Sequence, residues 1–298
     1  MAMMMISRTT RIKFWRGDQI AYTAAMFKSI LFILFTATAA VAQQSDGSLE
    51  SLEGSPFSAQ WTAVGRVMVD NRAFCTGTLI EPHLVLTAAH CFFDHETGEK
   101  FENNIFFQAG LNNGRAITTR KAERIAIDQD YRVFDEDWVN QYGNDIALIK
   151  LDDPILRSDI LPFEVYHRPR VGDAVTVVSY ARNREDSPSI QSPCHVLERD
   201  RDSLMLTCDS DPGASGAPVF MLSDGRYKVV SIINAGGELP ERKVSLSVIL
   251  GAGLDILRNQ LAATPSKSLT VTPNGQSLAE QLGRTNSLQD RFITAPSN

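Results

Sequence analysis

Three short stretches each centre on one polar residue among small or apolar neighbours: Leu86-Thr87-Ala88-Ala89-His90-Cys91, Asn144-Asp145-Ile146-Ala147-Leu148 and Gly213-Ala214-Ser215-Gly216-Ala217-Pro218. They supply an imidazole, a carboxylate and a hydroxyl. A serine hydroxyl is a weak nucleophile at neutral pH, so it needs a base beside it and a group to orient that base. In that division of labour His90 takes the Ser215 proton at Nε2 and returns it to a leaving group, while Asp145 holds the imidazole in the productive tautomer. The chemistry is acyl transfer through a covalent serine intermediate, with an acid limb expected near the ordinary histidine pKa of about 6.5.

Local context separates these residues from others of their type. Leu84-Val85-Leu86 reads as a strand that delivers His90, and Cys91 can anchor the segment behind it; His83, His95, His167 and His195 read as surface or hydrogen-bonded histidines. Asp145 stands at the mouth of the apolar run Ile146-Ala147-Leu148-Ile149, where an unpaired carboxylate is costly. A bond from the His90 Nδ1–H would offset that cost. Gly213 and Gly216 let the backbone around Ser215 take unusual angles and approach a substrate. The N–H groups of Gly213 and Ser215 can then point at a carbonyl oxygen under attack. Alone, each stretch has a plainer reading: a hydrogen-bonded histidine, a turn-capping aspartate, a Gly/Ser turn before a strand. Those readings do not account for all three in this order.

The elements that must position these residues are short apolar runs between turn signals, which predict strands. One set covers 64–69, 77–80, 85–87, 105–108, 122–127 and 146–151; a second covers 174–179, 195–198, 204–207, 218–221, 227–233 and 244–248. Two sets of about six fit an all-β fold of two barrels, divided near 162–172, and only 254–261 reads as a helix. The expected organisation is a signal peptide over 1–42, a disordered leader or pro-segment over 43–56, an N-terminal barrel over 57–165 with His90 and Asp145, a C-terminal barrel over 166–262 with Ser215, and a polar mobile tail over 263–298.

The N-terminal expectation rests on Lys28, the apolar run 29–35 and the ending Ala40-Val41-Ala42, which describe a secretory signal. Met26 would give a compact leader, and translation is expected to start there. The apolar run is too short to span a membrane comfortably, so no stable span is expected after cleavage; the alternative is an uncleaved anchor. The destination is outside the cell or the periplasm. Of 29 Lys and Arg and 35 Asp and Glu, residues 1–42 hold five and one, which leaves a net charge of −10 on the remainder. Such a surface repels phosphates, so nucleic acid is not an expected partner. The 43% hydrophobic content supports a core of ordinary size.

Cys75, Cys91, Cys194 and Cys208 in an exported chain predict two disulfides. Three pairings are open. Sequence neighbours are favoured, each closing a loop of about 15 residues worth roughly 3 kcal/mol. No Cys-x-x-Cys spacing is present, so neither a metal nor another cofactor is expected.

Taken together, Thr-Ala-Ala-His-Cys, Asn-Asp-Ile-Ala-Leu and Gly-Ala-Ser-Gly-Ala-Pro resemble the chymotrypsin/trypsin-like serine peptidases, and Cys75-Thr76-Gly77-Thr78-Leu79-Ile80 looks like the same family. The likeness spans roughly 57–261, and its texture is most similar to the bacterial glutamyl-endopeptidase-like branch. It implies two six-stranded antiparallel β-barrels with the active site between them, a short C-terminal helix, and hydrolysis of protein or peptide substrates by a secreted, monomeric endopeptidase. It carries over His90 as general base, Asp145 as orienting acid, Ser215 as nucleophile, Gly213 and Ser215 as oxyanion donors, and Cys75–Cys91 as the disulfide bracing the histidine. Asp209 and Ser210, six and five residues before Ser215, match a pair that lines the specificity pocket in trypsin-like members. A carboxylate there would attract Arg or Lys. Gly236 and Gly237 would leave the pocket wall open. Asn234 falls where glutamate-specific members have a histidine. Ala214 replaces the aspartate that many animal members use to receive a new N-terminal amine, so that switch cannot operate. A catalytically silent binding protein on the same fold is the alternative. An α/β-hydrolase would need Gly-x-Ser-x-Gly and the order Ser, Asp, His, and neither is present.

Overall fold

In the computed structural model, which describes residues 46–263 apart from 71–72, 95, 102, 135–142 and 167, alternating apolar residues build two closed sheets. The first is an antiparallel barrel of β2 (Val64–Val69), β3 (Ala73–Glu81), β4 (Leu84–Thr87), β5 (Ile105–Ala109), β6 (Thr118–Ile127) and β7 (Ala147–Leu151), in the order β2-β3-β4-β7-β6-β5. β5 shows the rule that closes it: Ile105, Phe107 and Ala109 are buried while Phe106 and Gln108 are half-buried, the period of two expected when one face meets a core.

The second sheet holds β8 (Ala174–Ala181), β9 (Arg184–Asp200), β10 (Ser203–Leu206), β11 (Pro218–Ser223), β12 (Arg226–Leu239) and β13 (Arg242–Ile249). They run in the order β9-β10-β13-β12-β11-β8, and β8 pairs back to β9 to complete a ring. All twelve expected strands are present, so the two-barrel reading holds for this mostly β fold. Sequence reading shortened β9 and β12, because their polar stretches lack a continuous apolar signal.

A thirteenth strand corrects the expectation of disorder over 43–56. β1 (Leu49–Ser51) pairs antiparallel with β9 at Gln191, Ile190 and Ser189, and Leu52 behind it is buried. The segment is short and polar, so no local period betrays it; its partner lies some 140 residues away. β1 and β10 lie along the same edge of β9, one at 189–191 and the other at 196–200, and together they leave less of that edge unpaired. The expected signal peptide and nearly all of the expected tail lie outside the described residues. Among those described, no helix is long and apolar enough to cross a membrane.

Two features lock the barrels together. Trp61, Phe163, Phe220 and Tyr227 pack with ring centroids 4.6 to 6.3 Å apart, joining the entry to β2, the inter-barrel segment and strands β11 and β12. Each pair adds about 0.5–1.5 kcal/mol beyond simple burial. The helix α1 (Ala252–Ala263) leaves the second barrel and packs on β6 and β7 of the first. Its buried residues Leu254, Leu257 and Leu261 form one helical stripe, and Arg258 pairs with Glu81 at 2.9 Å.

Candidate active site

His90 lies in a short 3-10 helix, Ala89–Phe92, which follows β4 directly. The Cys75–Cys91 disulfide, with Cα atoms 6.2 Å apart, ties this helix to β3. Asp145 precedes β7, the strand paired with β4, and is buried. One Asp145 oxygen lies 2.6 Å from His90 Nδ1, and the other accepts the His90 backbone N–H at 2.8 Å. A carboxylate at Nδ1 favours the tautomer with the proton there, which makes Nε2 the acceptor nitrogen of the ring. Burial alone lowers the imidazole pKa; the charge of Asp145 and its hydrogen bond outweigh burial and hold it above the ordinary 6.5.

Ser215 sits in the turn before β11. Its carbonyl accepts the Thr76 N–H at 2.8 Å, and the next N–H, of Gly216, donates to Ile233 at 2.7 Å. Gly216 has φ of 76°, and a Cβ there would lie 2.2 Å from Thr87 Oγ1 and 2.9 Å from the Ala88 nitrogen. Only glycine lets the nucleophile turn press this closely on the segment that delivers His90. The peptide planes carrying the two expected oxyanion donors are fixed through their carbonyls: Arg182 N–H bonds Pro212 O at 2.7 Å, and Ala217 N–H bonds Ala214 O at 2.9 Å. Among the described residues, neither the Gly213 nor the Ser215 N–H donates to a backbone oxygen.

Thr76 joins these parts, and sequence reading gave it no role. Besides holding Ser215, its carbonyl accepts the Thr87 hydroxyl at 2.8 Å, and its own hydroxyl lies 3.0 Å from Gly213 O and accepts the Tyr180 N–H at 3.0 Å. It is fully buried. The available signal was a hydroxyl in an apolar strand immediately after a disulfide cysteine.

An open cleft of about 470 Å³ adjoins Ser215, bounded by Ser210, Asp211 and Pro212 on one side and by Ala235, Gly236, Gly237 and Glu238 with Lys243 on the other. Of the expected pocket residues, Ser210, Gly236 and Gly237 line it; Asp209 and Asn234 do not. The Asp209 N–H is held by Gln191 Oε1 at 2.8 Å, and its carboxylate acts on Arg184. Asp211 is the carboxylate on this side of the cleft, and it pairs with Arg184 at 3.7 Å. Asn234 coincides with a register shift between Ile233 and Ala235, the kind of irregularity that re-aims a side chain. It is buried, and its amide donates to the backbone carbonyl of Asp145 at 2.6 Å, so it holds the Asp145 main chain and does not line the cleft.

Both disulfides pair sequence neighbours, Cys75–Cys91 and Cys194–Cys208. Cys75, His90 and Cys91 bring three metal-type donors within 4.8 Å of one another, but both sulfurs are spent in the disulfide and offer no thiolate.

Comparison with known proteins gives the family and the fold. The trypsin-like peptidase domain matches residues 75–231. Human kallikrein-4 is 31% identical over 107 residues, covering 36% of this chain and 37% of that protein. Bovine serine protease 23 is 27% identical over 165 residues, covering 49% of this chain and 43% of that protein. The chain therefore spans less than half the length of these relatives. A solved Glu endopeptidase superposes with a TM-score of 0.58 at 17% identity, covering 74% of this chain and 98% of that one. A thermostable serine protease from an extremophilic microorganism gives 0.54 at 17% identity, covering 70% and 100%. At that identity the two structures speak to the fold alone, but the domain match runs from the disulfide beside His90, through Asp145 and Ser215, into β12. Because it takes in more than half of the 298 residues, this chain belongs to the trypsin-like serine peptidase family.

Proposed function

We propose that the chain is an exported serine endopeptidase, secreted or periplasmic, that cleaves peptide bonds through an acyl-enzyme. The observation that carries this reading is the two-point hold of Asp145 on His90, through ring and backbone, beside a nucleophile turn built on glycines. His90 Nε2 removes the Ser215 proton as the oxygen attacks the scissile carbonyl. The Gly213 and Ser215 N–H groups receive the oxyanion. His90 then protonates the leaving amine, and water repeats the sequence to release the acid. β11 covers β12 only as far as Ile232, so the main chain at 235–237 can pair with an extended substrate while a side chain enters beside Ser210.

Fluorophosphonate labelling with mass-spectrometric mapping tests this. Wild-type protein should be modified at Ser215 and cleave a peptide library, and Ser215→Ala should do neither. Absence of labelling in folded wild type would leave a binding protein on a peptidase scaffold.

A further inference from the structure

We infer that residues 46–52 form a docked brace that sets one wall of the substrate cleft, and that Gln191 is the positioning residue passing its seating to Asp209 and Ser210. This rests on reading the cleft beside Ser215 as the substrate site. The buried Gln191 side chain joins the two segments directly. Its Nε2 donates to the Gly47 carbonyl at 3.0 Å, and its Oε1 accepts the Asp209 N–H at 2.8 Å. Asp209 adjoins Ser210, which lines the cleft and whose carbonyl would lie 2.8 Å from a Cβ on Gly236. A shift of one residue at 209 therefore alters the gap between the two walls.

The same segment holds that stretch at a second point. Asp46 Oδ1 accepts the Thr207 hydroxyl and lies 2.9 Å from His195 Nδ1, while Oδ2 meets Arg242 at 3.3 Å. Thr207 Oγ1 also accepts the His195 N–H at 2.8 Å, so Asp46 fixes the chain two residues before Asp209. The brace is seated closely. Gly47 N–H donates to Pro193 O at 2.7 Å, and a Cβ on Gly47 would lie 2.1 Å from the Ser192 carbonyl oxygen. No other residue type fits there without moving the segment. Beyond it, β1 pairs with β9, the Leu52 N–H donates to Pro188 O at 2.9 Å, and Asn112 Nδ2 donates to the Leu52 carbonyl at 3.1 Å.

Two substitutions in the full chain test the proposal: Gln191→Leu removes the bridge, and Gly47→Ala unseats the brace. Each should raise KM for a peptide substrate about tenfold, the scale of a lost buried hydrogen bond, with kcat within about twofold of wild type. Inactivation by diisopropyl fluorophosphate, which has no extended side chain to place, should keep its rate. The double variant should be no worse than Gln191→Leu, because both act through one connection. Hydrogen exchange at the Asp209 amide should quicken in Gly47→Ala. If Gly47→Ala does not accumulate, Asp46→Ala takes its place with the same expectations, except that the double need not saturate. Unchanged KM in folded single variants, KM effects that multiply in the Gly47→Ala double, or unaltered Asp209 exchange would each overturn the brace. Exchange needs no catalysis, so it judges the brace even if wild type fails to label, a failure that would count against the peptidase reading instead.

Discussion

Asp145 raises the His90 pKa against the effect of burial. Because Asp145 holds the imidazole pKa above 6.5, the acid limb of kcat/KM should lie above that value. Asp145→Asn should shift the limb downward and reduce kcat by roughly 10⁴-fold through loss of the productive tautomer. Steady-state kinetics between pH 5 and 9 measures both; a limb unmoved by the substitution would contradict the pairing. Stability should follow the opposite course. A raised folded-state pKa means that protonated His90 favours the fold fully below about 6.5, and the contribution disappears as pH rises through the higher folded value. In its proposed role as general base, His90 would thus work where its own ion pair no longer supports the fold. At Gly216, substitution by Ala puts a Cβ 2.2 Å from the Thr87 hydroxyl at a φ of 76°. That should cost about 1–3 kcal/mol, read as a lower Tm, and reduce the Ser215 labelling rate at least tenfold.

At the scale of elements, what sequence could reveal depended on how local each cause was. β2 announces itself through its own apolar residues, and β4 does so in four. The stripe Leu254, Leu257 and Leu261 likewise marked α1. β1 could not be read, because three residues, only one of them apolar, acquire order only from a distant partner edge. Asn234 was misread for a related reason. Matching it to the histidine of glutamate-specific members placed it in the pocket, but the irregularity before Ala235 turns it to Asp145, and register is a property of two strands together. Asp209 had the right offset and the wrong neighbours. The His90–Asp145 pairing was legible because the surroundings of both residues are local, whereas Thr76 acts through contacts with three other segments. For α1, Leu257→Ala should remove about 2–5 kcal/mol in denaturant unfolding, since the side chain is fully buried. A loss below 1 kcal/mol would show that the helix is incidental to the barrel beneath it.

Across the whole molecule, the chain is laced so that each barrel is finished by sequence from the far end. β1, before the first barrel in sequence, completes an edge of the second, and α1, after the second, covers strands of the first. A cut in the inter-barrel segment would therefore leave β1 and α1 each on the fragment opposite the barrel it packs against. Synthesis from the ribosome follows the same order: α1 emerges after every other described element, so its cover over β6 and β7 is the last of these contacts that can form.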